Sequence, residues 1–208
     1  MYYLKEACVG NYEEARKAAL LGADRIELCD NLSEGGTTPS FGTIALSSKL
    51  PAIKIHVLIR PRGDNFVYSD AEFAIMKKDI EVCKQTGVDG IVVGVLTPDN
   101  HIDCERLKEL MELASPLSTT FHVAFDEIED KKAAINLLAD MGVERILTKG
   151  GQESALHNLP ALKTLIAYAD NRIVIMPGGG VNHSNLEMVA AQTGAAELHG
   201  TKIVGDLR

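Results

Sequence analysis

A short phrase recurs four times along the chain: a glycine, one or two small or acidic residues, and then a largely apolar run. The four instances are Gly22-Ala23-Asp24-Arg25-Ile26-Glu27-Leu28, Gly87-Val88-Asp89-Gly90-Ile91-Val92-Val93, Gly142-Val143-Glu144-Arg145-Ile146-Leu147-Thr148 and Gly194-Ala195-Ala196-Glu197-Leu198-His199-Gly200. The glycines are 65, 55 and 52 residues apart, about twice the length of one strand-plus-helix unit. Each interval therefore hides one further unit, and about eight are predicted. The intervening strands are expected at 3–9, 53–59, 119–124 and 172–176, each rich in β-branched or aromatic residues. Eight strands alternating with helices predict a (β/α)8 TIM-type barrel, a fold that carries its chemistry at the C-terminal ends of its strands.

At 208 residues the chain has room for one such barrel, so residues 1–208 read as one domain. The formal charge of -8, without a stripe of Lys or Arg interleaved with aromatics, argues against nucleic acid as a partner. A hydrophobic content of 46% without a long apolar run argues against a membrane partner. Met1 to Glu6 lacks both a basic leader and an apolar signal core, so a cytoplasmic location is expected. In that compartment four cysteines read as reduced thiols, ligands or core fillers.

The connecting segments carry helix start signals, Asn11 before Glu14 and Ser69 before Glu72. Phe73, Met76, Ile80 and Cys83 have the spacing of one buried helical face, which makes Cys83 a packing thiol. Cys104, near the start of the next helix, reads the same way.

Side chains alternate along a strand, so Glu6 and Cys8 share one face of the first strand, and Glu27 and Cys29 share one face of the second. The pattern Glu-x-Cys thus occurs on neighbouring strands, about 4.8 Å apart. Two thiols in reach of each other suit a soft ion, Cu(I) or Zn(II), while packing of two buried thiols is the competing reading. Strand three adds His56 and Arg60 at one parity, with Arg62 in the loop beyond. Strand five adds His122 and Asp126, a candidate acid/base or metal-ligand pair. The competing reading is an internal ion pair of Glu6 or Glu27 with Arg60. His199 ends the eighth strand and can join the cluster; His101, His157 and His183 fall in loop or helix-start contexts.

Glycine-rich loops follow the late strands at Lys149-Gly150-Gly151, Gly178-Gly179-Gly180 and Gly200. In such barrels these loops often cradle an anion with backbone N–H groups, or the glycines simply permit tight turns. Two functions emerge. One is a metal-binding protein using Cys8 and Cys29. The other is an enzyme on a small phosphorylated or carboxylated metabolite, its anion held by Arg60, Arg62, Lys149, Gly150, Gly151, Gly178, Gly179 and Gly180. There Glu27, His122 and Asp126 would transfer protons.

The segment from Arg25-Ile26-Glu27-Leu28-Cys29-Asp30 to Gly35-Gly36-Thr37-Thr38-Pro39-Ser40 resembles the signature of the CutC family, named for copper homeostasis. Ile59-Arg60-Pro61-Arg62-Gly63, Gly94-Val95-Leu96-Thr97, Phe121-His122, Ala124-Phe125-Asp126, Gly178-Gly179-Gly180 and Leu198-His199-Gly200 resemble it in the same order. The resemblance implies a cytoplasmic barrel that handles copper, with Cu(I) as its ion and Cys8 and Cys29 as ligands. The chain departs from the family pattern at Val123, where an arginine is usual, at Lys149, where a serine is usual, and at Asp64-Asn65, which replaces a more glycine-rich stretch. The sequence after the eighth strand has no room for a full helix, so a missing or reduced eighth helix is expected, and with it a homo-oligomer that covers the bare barrel wall.

Overall fold

Strands and helices alternate along the chain as β1 (Leu4–Val9), α1 (Tyr12–Leu20), β2 (Arg25–Leu28), α2 (Phe41–Ser47), β3 (Lys54–Leu58), α3 (Asp70–Thr86), β4 (Gly90–Val93) and α4 (Cys104–Ala114). They continue as β5 (Ser118–Phe121), α5 (Lys131–Asp140), β6 (Arg145–Thr148), α6 (Leu159–Ala169), β7 (Val174–Pro177), α7 (Leu186–Thr193) and β8 (Glu197–Gly200). These elements come from a computed structural model, in which residues 3–207 are described. The strands form one parallel sheet in the order β7-β6-β5-β4-β3-β2-β1-β8. β7 and β8 lie against each other without a ladder, so the TIM-type barrel is nearly closed.

The repeated glycine is a helix stop. Gly87 and Gly194 cap α3 and α7 in left-handed backbone, which an L side chain resists, and Gly22 and Gly142 adopt the same conformation just after α1 and α5. The even-numbered helices end on Ser48, Ser115 and Asp170 instead, which is why only every second unit shows in the sequence. The start signals also form. Ser69 and Glu72 complete a reciprocal cap, whereas Asn11 accepts from the Glu14 amide and the Glu14 carboxylate turns back to the amide of Gly10.

The fifth strand is shorter than its sequence suggests. It ends at Phe121, and His122 caps a 3-10 turn over Val123–Glu127 by accepting the Ala124 amide on Nδ1 at 3.1 Å. After β8 the described chain runs through turns without an eighth helix, and Ile203 and Leu207 are buried in that segment. This apolar pair partly takes the place of the expected bare wall.

Two cores result from the strand alternation. Ala7, Val9, Ile26, Leu28, Val57, Ile91 and Val93 join the helix residues Ala15, Leu107, Leu162 and Val189 in one large aliphatic cluster between barrel and helices. The opposite faces fill the lumen, where the described residues form a small apolar cluster of Cys8, Cys29, Leu58 and Val92, with Leu32 against it, and Met176 lies against Arg25. Glu6, Arg25, Glu27, His56, Thr120, Arg145 and His199 are buried as well.

Candidate metal centre in the barrel mouth

β1 and β2 run in parallel register with Cys8 opposite Glu27, so Cys29, two residues on, leans over the same end of the barrel. The Sγ atoms of Cys8 and Cys29 are 4.0 Å apart, and Glu27 Oε2 is 3.5 Å from Cys29 Sγ. One ligand atom from each of Cys8, Glu27 and Cys29 falls within 4.8 Å of the others. Gly36 makes the space: a Cβ there would come within 2.8 Å of Leu58 and 3.6 Å of Cys29 Sγ. Cys8 also lines a cleft of about 380 Å³ with Glu14, Leu32, Ser33, Lys202 and Leu207, which gives the pair a route to the surface.

Behind the thiols stands a charged chain. His199 Nδ1 lies 2.8 Å from Glu6 Oε1, and its Nε2 lies 3.7 Å from Glu27 Oε2. Glu6 is paired in turn with Arg25, Arg25 with Glu197, and Glu197 with Arg145 at 3.4 Å. The Cys29 thiol, and then the His199 ring, act against burial to bring Cys8 down to about 5. Facing that thiolate at a buried position, Cys29 is driven well up. Burial, reinforced by the Cys8 charge, also pushes Glu27 well above the carboxylate range. Burial opposes a charge on His199, yet Glu27, Cys8 and Glu6 raise it well above its ordinary range. Burial likewise opposes the charge on Glu6, but Arg25 and His199 hold its carboxyl well below the usual range. These shifts favour a thiolate on Cys8, with the Cys29 thiol, Glu27 and the His199 ring in reach.

The other expected site residues lie in separate surroundings. His122 packs against Phe66, ring centroids 4.9 Å apart, and burial with the nearby Arg60 charge brings it down to about 3. Asp126 accepts from Thr148 Oγ1 and, at 2.9 Å, from the Lys149 amide. The strand-five pair is thus divided, because the 3-10 turn separates the two side chains, and neither meets Glu27. Arg60 forms no ion pair with Glu6 or Glu27; its Nη atoms donate to the carbonyls of Glu34, Gly36 and Asp64. Arg62 is held by Glu72 at 2.7 Å and by loop carbonyls. Lys149 Nζ donates to Gln152 O, Gly150 N to Thr148 Oγ1, and Gly178 N to Thr148 O. Gly151 lies against Asn158, Gly179 against the Lys149 chain and Gly180 against Ser154.

The sequence reading missed Arg25, Arg145 and Glu197. The signal was available: Arg25 shares parity with Glu27, and Glu197 with His199, so both had to face the lumen.

The three lumen histidines lie over inward glycines. A Cβ on Gly90 would fall 2.7 Å from His56 Nε2, one on Gly94 would fall 2.2 Å from the His122 ring, and one on Gly178 would fall 3.2 Å from His199.

Several known proteins share this chain's sequence and fold. The human copper homeostasis protein cutC homolog is 49% identical over 197 residues, covering 95% of this chain and 72% of that protein. The CutC protein of Enterococcus faecalis is 46% identical over 209 residues, covering 97% of this chain and 100% of its own. A crystal structure of CutC from Streptococcus agalactiae matches with a TM-score of 0.92 at 41% identity, covering 97% of this chain and 99% of that one. The family model itself spans residues 3–204, from the first strand to beyond the last, and the chain belongs to the CutC family.

Proposed function

We propose that this protein serves copper homeostasis by holding one Cu(I) ion as cargo between Cys8 and Cys29, in the cytosol. The observation that carries the reading is the 4.0 Å approach of two buried sulfurs. That gap is about twice the 2.05 Å of a disulfide bond, and it suits two thiolates facing a shared ion. Soft sulfur donors favour Cu(I) at low coordination number, whereas Zn(II) would call for four ligands and draw in Glu27 and His199. The family to which the chain belongs adds weight to copper.

The protein's own groups do the preparing. Cys8 is already ionised near neutrality, so one ligand needs no proton removed. Cys29 holds its proton and must release it as the ion arrives, which makes loading depend on pH. Glu6 fixes the His199 ring through Nδ1 and leaves Nε2 facing Glu27, which holds the groups around the thiols in place while the Cys29 proton leaves through the cleft at Cys8. A thiol pair of this kind also needs a reducing compartment. Among the described residues no helix is long and apolar enough to cross a membrane.

The test is an anaerobic Cu(I) titration of the reduced protein against a competing chelator, beside the Cys8→Ser, Cys29→Ser double variant and a parallel Zn(II) titration. Tight binding of one copper per chain, lost in the variant and stronger than zinc, supports the reading. Binding that the variant retains, or a preference for zinc, overturns it.

A further inference from the structure

Four buried side chains in the lumen carry or can carry positive charge at neutral pH: Arg25, Arg60, Arg145 and His199. Three have carboxylate partners. Arg25 has Glu6 and Glu197, Arg145 has Glu144 and Glu197, and His199 has Glu6. Arg60 pairs with no carboxylate among the described residues, although it is only 6% exposed. Its partners are three loop carbonyls and the face of Phe66, whose centroid is 5.0 Å from Cζ. A buried cation without a counter-charge is costly, typically by several kcal/mol before relaxation.

The same place holds polar atoms without partners. Arg60 Nε, His122 Nε2 and the Tyr68 hydroxyl are all buried without a hydrogen-bond partner. Both Arg60 and His122 lie within about 5 Å of the Phe66 ring centroid, and Tyr68 stands two residues further along that loop. Burial pushes the Tyr68 hydroxyl up while the nearby Arg60 charge pulls it down. His122 Nδ1 accepts the Ala124 amide, so in the neutral ring the proton is on Nε2. Each of the three groups therefore has an N–H or O–H to give. None of the three donates to an acceptor among the described residues, and the one charge left without a carboxylate is that of Arg60.

We propose that Arg60 Nε, His122 Nε2 and the Tyr68 hydroxyl form a binding site for the carboxylate of a small metabolite, walled by Phe66 at the barrel mouth. A monoanion matches the single unbalanced charge, and two oxygens match donors arriving from different strands. A phosphate monoester, mostly dianionic at neutral pH, would leave an excess negative charge in a buried place. The site does not depend on the copper reading, although Arg60 Nη1 donates to Gly36 O, and Gly36 packs on Cys29.

The test follows the Arg60 Nε–H and His122 Nε2–H resonances of the 15N-labelled full chain during titration with sodium acetate, with sodium chloride and sodium phosphate at matched ionic strength as controls. Acetate is expected to move both signals saturably. Tyr68→Phe removes only the hydroxyl, and His122→Asn keeps an acceptor for the Ala124 amide while removing the ring donor. Each should weaken acetate binding about tenfold, the equivalent of one hydrogen bond to a charged group. The Cys8→Ser, Cys29→Ser variant should bind acetate as the wild type does, which separates this site from the thiol pair. Signals that stay still, that move equally with chloride, or that move equally in both site variants overturn the proposal. So does phosphate binding more tightly than acetate, or a cross-peak from His122 Nε2–H to water that acetate leaves in place.

Discussion

The outer and inner faces of the same eight strands are built from different chemistry. Outside, Ile26, Val57, Ile91 and Ile146 meet aliphatic helix residues, and each such buried side chain contributes about 1.5–3 kcal/mol. Inside, on the alternate residues, Glu6 meets Arg25 and His199, and Arg25 and Arg145 share Glu197. A complete buried ion network is roughly neutral for stability against an apolar core of similar volume, but breaking one member is expensive. The contrast teaches a division of labour: the shell between barrel and helices holds the fold, and the lumen is left free to carry charge and thiols.

The sharpest way to break that contrast is to remove one charge from the lumen. Glu6→Gln strips Arg25 and His199 of a partner and should cost about 3–5 kcal/mol in urea unfolding. The sign with pH follows from the depressed carboxyl. Below the ordinary value of 4.5 the unfolded chain takes up the proton before the folded one does, so wild-type stability falls as pH falls through that range. Glu6→Gln should flatten this acid limb; an unchanged limb would place its origin elsewhere.

On the outer side, Ile91→Ala should cost about 2–4 kcal/mol by the same measurement, through lost burial and a cavity. A loss under half that figure would mean that the shell is not what holds the barrel. Gly90→Ala tests the lumen sterically, since its new methyl would meet the His56 ring, and about 1–3 kcal/mol should be lost. Removing the thiols should have the smallest effect. Cys8→Ser with Cys29→Ser should change stability by under about 1 kcal/mol, because Glu27 offers acceptors to the new hydroxyl groups, while tight Cu(I) binding disappears. A large stability loss there would make the pair a packing feature, the competing reading of two buried cysteines.

The barrel was legible because Gly22, Gly87, Gly142 and Gly194 end alternate helices in a conformation that few other residues adopt, and so punctuate the chain at a fixed period. Strand parity also placed Cys8, Cys29 and Glu27 together, since the period of two is rigid. Parity failed beyond the strand ends. His122 and Asp126 share parity in sequence, but a 3-10 turn begins between them and the rule no longer applies. Arg60 was legible as a lumen cation, yet not its choice of carbonyls over Glu6, because loop backbone geometry is set by long-range closure that no local pattern encodes. Tyr68 gave no signal at all in its own neighbourhood. Its isolation is apparent only once the loop lies over Arg60.

The histidines lying over Gly90, Gly94 and Gly178 constrain how this lumen can change over generations. At Gly90 a substitution meets the His56 ring first, so that histidine must shrink before the glycine can be replaced; at Gly94 Ala124 also stands in the way, and at Gly178 Leu147 Cδ1 is nearer than the ring, at 2.5 Å. The pair of His56 and Gly90 works as a one-way gate on the order of mutation, and His56→Ala should make Gly90→Ala tolerable where the reverse order is not.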